Sequence, residues 1–216
     1  MYRIVFLINS LIILVGFSGC TEKGTSLKLP FYNSPDFSPI FISGSDQSLQ
    51  RISHTIDNFS FTDQNGNQVT QKDIEGKIHV ASFIFTSCGS ICPVMVKNLK
   101  LVQEQFRQDT NVVLLSYSVT PWIDSVTRLR KYAVANGIES INWHLLTGNR
   151  GEIYKLARQS YFAEEDIGFT KDSTEFLHTE HILLVDKTKR IRGIYNGTLQ
   201  LEAEQLINDI KELQKE

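Results

Sequence analysis

Hydrophobic and polar positions change period several times along the chain, and each change marks an element. Phe59 and Phe61 alternate with polar residues, Asn65-Gly66 is a strong turn signal, and Val69 resumes an extended segment. Together these predict a β-hairpin. After Gly76-Lys77, the run from Ile78 to Phe85 is almost continuously apolar, as in a central parallel strand buried on both faces. Ile91, Met95, Leu99, Val102 and Phe106 then recur at steps of four and three, which is one face of a helix. Val112 to Val119 reads as a second buried strand. Asp124 or Ser125 can cap a helix carrying Val126, Leu129 and Ala133, with Gly137 just past its end. Trp143 to Leu146 is a short extended piece, and Ile153, Leu156 and Ala157 face inward on a helix over 151–160. Tyr161 to Leu177 mixes aromatic and acidic residues without a period and reads as a loop or insertion facing the site. Ile182 to Val185 and Ile191 to Tyr195 flank a charged turn as an antiparallel hairpin. Leu199, Ala203, Leu206, Ile210 and Leu213 form the stripe of a last helix.

The order hairpin, β, α, β, α, (α), β, β, α is that of a thioredoxin-like α/β domain with an N-terminal hairpin extension. Its expected span is 51–216. Residues 20–50 read as a largely irregular tether, because Pro30, Pro35 and Pro39 interrupt a stretch rich in Ser, Gly and Asn. Phe31-Tyr32 and the residues from Phe37 to Phe41 are candidates to dock on the domain. Residues 1–19 combine a basic start with an apolar run from Ile4 to Phe17, too short for a spanning helix and suited to a signal-peptide core. Ser18-Gly19-Cys20 resembles the lipobox of bacterial lipoproteins, although Phe17 stands where Leu is usual. That resemblance implies cleavage before Cys20, a lipid on its sulfur, and a domain held at a membrane on the periplasmic side of the cell envelope.

A length of 216 residues with 41% apolar content supports one domain with attached segments. A formal net charge of −2, with no basic run, gives no reason to expect nucleic-acid binding. Three cysteines would leave an odd thiol in an exported protein. If Cys20 carries lipid, Cys88 and Cys92 remain as a matched pair.

That pair falls between the first buried strand and the first turn of a helix. With a helical turn between them, their Cα atoms lie roughly 6 Å apart. Such a pair can close a disulfide or clamp one soft metal ion. The helix N-terminus favours a thiolate, and Pro93 sits where N–H groups have no intrahelical partner to lose. Buried structural cysteines are the bland alternative, but inert thiols favour element interiors over such junctions.

The segment Phe85-Thr86-Ser87-Cys88-Gly89-Ser90-Ile91-Cys92-Pro93-Val94-Met95 resembles the signature of the Sco/SenC family of copper chaperones for cytochrome c oxidase. His178-Thr179-Glu180-His181-Ile182-Leu183-Leu184-Val185-Asp186 is similar to the family's downstream histidine segment, with His178 in the ligand position. Ser118-Val119-Thr120-Pro121 with Asp124 looks like its middle region, where Thr120 replaces a frequent Asp. The resemblance implies a copper site, for Cu(I) or Cu(II), made by Cys88, Cys92 and His178. It also implies, as partner, the oxidase subunit that receives copper into its dinuclear site. The soft thiolates and one imidazole suit that cargo, and three protein ligands leave it exchangeable. On an extended strand His181 would face away from His178. His54, His79 and His144 stand in no motif and read as structural. The competing expectation is a thiol–disulfide oxidoreductase that keeps the oxidase's own cysteines reduced, with Cys88 attacking and Cys92 resolving. The three-residue gap between the cysteines and the lack of any proline after Pro121 count against it.

Overall fold

The computed structural model describes residues 28–42, 51–139, 141–163 and 179–216. The expected signal, Cys20 and His178 lie outside these residues, as does all of the expected 161–177 loop beyond Ala163.

Two short strands, β1 (Phe31–Tyr32) and β2 (Pro39–Ile40), precede the hairpin β3 (Ser60–Thr62) and β4 (Gln68–Thr70). A one-turn helix α1 (Gln71–Ile74) follows, then β5 (Ile78–Ile84), α2 (Ile91–Gln105) and β6 (Val112–Ser118). Next come α3 (Val126–Asn136), β7 (Trp143–Leu146) and α4 (Arg150–Lys155), which runs into one π turn at Leu156–Ser160. The hairpin β8 (His181–Val185) and β9 (Ile191–Asn196) leads to α5 (Gln200–Leu213). The main sheet has the order β2-β1-β9-β8-β5-β6-β7, with β5, β6 and β7 parallel and β8 antiparallel to β5.

Every residue of β5 and β6 is buried, which is why these segments read as unbroken apolar runs. The period of two divides them between two cores. Val80 and Ile84 join α2, α3 and α5 on one face, while Ala81 and Phe83 join the β3–β4 hairpin and α4 on the other. Deleting a buried side chain such as Met95, which is 0% exposed, costs about 2–5 kcal/mol in cores of this kind.

Local chemistry sets the connections. Gly66 takes φ +88 in the hairpin turn, where Asp63 accepts hydrogen bonds from the Asn65 and Asn67 amides. Ser125 caps α3 by accepting from Arg128 N, and Gly137 closes it in the left-handed conformation. Leu199, expected on the inner stripe of α5, instead stands at its N-cap and is exposed. Helix α1 was not legible as a hydrophobic pattern, since four residues are too few for a period. Its signal was the capping box of Thr70 and Asp73.

The stretch expected to be an irregular tether contributes β1 and β2 to the sheet edge, with Tyr32 paired to Ile191. Arg192, 2% exposed, holds it in place. Its guanidinium donates to the Leu29 and Pro30 carbonyl oxygens at 2.8 and 3.1 Å and pairs with Asp186 and Glu216. It also lies 4.0 Å over the Phe31 ring. The aromatic docking expected for Phe31, Tyr32 and Phe37 is present, whereas Phe41 is exposed.

His79 is completely buried. One ring nitrogen bonds the Tyr161 hydroxyl at 3.0 Å, and Nδ1 has no hydrogen-bond partner. Burial therefore pushes its pKa down to about 3. The unfolded chain takes up this proton below its ordinary value of about 6.5, and the folded state does not. Stability should therefore fall as pH drops from 6.5 toward 3, by about 2 kcal/mol at pH 5. Urea unfolding near pH 7 and near pH 5 checks this, and His79→Leu should remove most of the difference.

Candidate metal and thiol centre

Strand β5 ends at Ile84, and the chain crosses the sheet end through Phe85, Thr86 and Ser87 before α2 begins at Ile91. Cys88 precedes the bend at Gly89 and Ser90, so the helical turn expected between the cysteines is only partly formed. Ser90 is the N-cap, and Cys92 lies in the first turn. Cys92 N still donates to Cys88 Sγ at 3.4 Å, and both cysteines are free.

Their environments differ sharply. Burial alone would raise the Cys88 thiol. The amides of Cys92, Ser90 and Ile91 and the Cys92 thiol converge on its sulfur and bring it below the usual value. Cys92 is 0% exposed, packed with Met95, Leu99 and Ile182. Burial first, then the hydrogen bond to Cys88 and its charge, push Cys92 up to about 12. The helix N-terminus thus activates one thiol of the pair. Cys88 is the half-buried thiol whose pKa is lowered, and Cys92 the buried neighbour whose pKa is raised.

A buried carboxylate holds this loop. Asp124, 0% exposed, accepts from Thr86 N at 3.2 Å and Thr86 Oγ1 at 2.5 Å. It also accepts from Ser118 Oγ at 2.6 Å and Thr120 Oγ1 at 3.1 Å, both at the end of β6. Arg128 closes the circuit. Its Nε donates to Thr86 Oγ1 at 2.6 Å, its second nitrogen donates to Ser87 Oγ at 3.0 Å, and it lies 3.5 Å from Asp124. Sequence patterning had offered Asp124 as a helix cap. Ser125 caps the helix, and Asp124 reaches back to the thiol loop. Thr86, Arg128 and Tyr132 were missed because one polar residue carries no period. Tyr132 packs in the same core cluster as Cys88 and Cys92, and burial first, then the negative charges of Cys92, Cys88 and Asp124, raises its phenol to about 12.

Among the described residues, no group of three His, Cys, Asp or Glu could hold a metal ion. His181 is on the face of β8 away from the thiols. Its ring meets Phe37 at 6.2 Å on the side of Leu183 and Val185, opposite Ile182 and Leu184, which share the core of Cys92. His54 bonds Ser160 O at 2.7 Å and His144 bonds Asp63 at 3.2 Å, so both serve structure.

The family model described as SCO1/SenC matches residues 47–215. The chain belongs to the SCO1/SenC family. BsSco, described as a member of the Sco family of cytochrome c oxidase assembly proteins and studied for a disulfide switch, is 28% identical with a TM-score of 0.63. That likeness covers 74% of this chain and 93% of BsSco. A SCO1/SenC family lipoprotein from Bacillus anthracis is 28% identical with a TM-score of 0.66, over 76% of this chain and 96% of its own. ScoI of Bradyrhizobium japonicum, solved with copper bound, is 25% identical with a TM-score of 0.57, over 74% and 98% of the two chains. The thioredoxin-like α/β architecture expected from the element order is therefore the fold of a Sco protein.

Two outcomes follow from the site. Limiting iodoacetamide near pH 7 should label Cys88 and leave Cys92 unmodified, as peptide mass spectrometry would show; equal labelling would contradict the burial of Cys92. Asp124→Ala strands several buried donors and should destabilise the fold by about 2–4 kcal/mol in urea titration.

Proposed function

We propose that this protein is a membrane-tethered copper carrier for cytochrome c oxidase, binding copper through Cys88, Cys92 and His178. The observation that carries the reading is the paired thiols at the head of α2, one presented by three backbone amides and one buried beneath it. Two adjacent sulfurs match the softness of Cu(I), and an added imidazole extends the set to Cu(II). The copper-bound relative and the family's connection with oxidase assembly support the same cargo and destination, the dinuclear copper site of the receiving subunit. The likeness of His178-Thr179-Glu180-His181 to the family's downstream histidine segment supports His178 as the third ligand, and the strand that follows is tied through Gly197 to α2. Glu180 O accepts from Gly197 N at 2.7 Å, and the next carbonyl, that of Gly197, is held by Asn98 of α2 at 2.8 Å. Cys20 serves as the lipid anchor, in keeping with the lipoprotein relative.

A second reading has its own support. A lowered, accessible thiol beside a raised, buried one is the arrangement of an attacking and a resolving cysteine. In that role Cys88 opens a substrate disulfide, Cys92 displaces it, and the protein ends with a Cys88–Cys92 disulfide. Copper binding and disulfide formation then exclude one another, since both use the same sulfur lone pairs.

Metal analysis of the reduced domain, handled without oxygen, tests the first reading. One copper per chain is expected, and none after oxidation of the pair. His178→Ala should weaken Cu(II) binding at least tenfold and change its spectrum while affecting Cu(I) less, and His181→Ala should do neither. Unchanged Cu(II) binding in His178→Ala, with rapid reduction of a disulfide-bonded oxidase peptide by wild type, would transfer the assignment to the second reading.

A further inference from the structure

Next to the thiol loop, the turn between Thr120 and Asp124 presents Trp122 and Ile123 to solvent, 60% and 41% exposed. This placement is fixed from both sides. Asp124 is tied to Thr86 of the cysteine loop, and Tyr154 of α4 donates its hydroxyl to Val119 O at 2.8 Å. Arg150 lies between these anchors. Its guanidinium carbon is 5.4 Å from the centre of the Trp122 ring and 5.6 Å from that of Tyr154. Arg150 is exposed, and no carboxylate among the described residues pairs with it. Stacking restricts a planar guanidinium without using its in-plane donors, so its fork stays available for a carboxylate at low entropic cost. An exposed tryptophan beside an arginine is also the composition that dominates binding energy at protein interfaces. Cys88 and the exposed Val94 open on the same end of the sheet, because Ile84 and Ser118 are paired at the strand ends that lead into these two loops.

We propose that the Trp122–Arg150 pair is a docking site for a carboxylate-bearing segment of the polypeptide that the thiol pair serves. This rests on the reading above only in taking that client to be a protein. Arg150 binds an Asp or Glu side chain bidentately, and Trp122 and Ile123 cover an apolar neighbour. An anionic membrane surface is the other chemistry that an exposed Trp, Ile and Arg could meet. A polypeptide is favoured because the thiols beside this surface must come into contact with their client's sulfurs.

Tryptophan emission tests the proposal without copper or redox chemistry, so it stands or falls separately from the carrier reading. Trp143 is 0% exposed, leaving Trp122 to report. The reduced protein is titrated with a capped peptide holding two Glu around a Leu, with its Gln counterpart, and with phosphatidylglycerol vesicles. A saturable emission change with the Glu peptide is expected, with binding about tenfold weaker for the Gln peptide. Arg150→Gln should lose about tenfold in affinity for the Glu peptide. Arg107→Gln, at an exposed arginine paired with Glu139 beyond the far end of α2, should not. No saturable response, equal binding of both peptides, indifference to Arg150→Gln, or a response to vesicles alone would overturn the proposal.

Discussion

The position of the thiol loop depends on one buried carboxylate. Asp124 has no solvent exposure, and hydroxyls and an amide donate to it while the Arg128 guanidinium pairs with its charge. These partners come from three parts of the site: Thr86 from the cysteine loop, Ser118 and Thr120 from the end of β6, and the charge of Arg128 from α3. An ionised carboxylate is costly to bury unless its oxygens are fully engaged, so the donors and the acceptor require one another. The loops after two parallel strands are thereby joined into one body. This matters for a metal or a disulfide alike, because both need the two sulfurs at a defined separation rather than on a free loop.

Within that body the two cysteines are made unequal by depth and by where the helix amides point. They are separated by three residues and share one helix start, yet one thiol is lowered and the other raised. The helix terminus acts where its amides point, which is outward to Cys88. Cys92, a turn deeper, meets an apolar core that penalises its charge. A soft cation repays that penalty by bonding the sulfur, and so does a disulfide, which leaves no charge behind. The same burial therefore serves the carrier reading and the exchange reading, and the donor proposed at His178 is the feature on which the two differ.

The sequence made the fold legible where a period was long enough to be read. The continuous runs of β5 and β6 and the stripe of α2 needed no tertiary information, since burial on two faces or one face writes itself into composition. The thiol pair was legible because its position between strand and helix is itself a local signal. What escaped was single-residue chemistry and pairing by backbone. Strands β1 and β2 are two residues each and contain or adjoin prolines, and nothing in their composition announces that buried Arg192 will donate to the Leu29 and Pro30 carbonyl oxygens just before β1. Asp124 looked like an ordinary cap because the hydroxyls it collects come from residues 4, 6 and 38 positions away.

The arginines of this chain show how surroundings divide one side chain among three tasks. Arg192 is buried with two carboxylates and two carbonyl oxygens, so its charge is spent on holding the β1 edge. Arg128 is half committed, its donors turned inward to Thr86 and Ser87 and its charge facing Asp124. Arg150 alone of these three has rings rather than oxygens for partners, and rings leave its donors unspent. A cation kept in place but unsatisfied lowers the cost of ordering when an anion arrives, which is the physical meaning of a preorganised contact. Its location beside the thiol loop, on the end of the sheet where β5 and β6 finish, gives that contact a purpose.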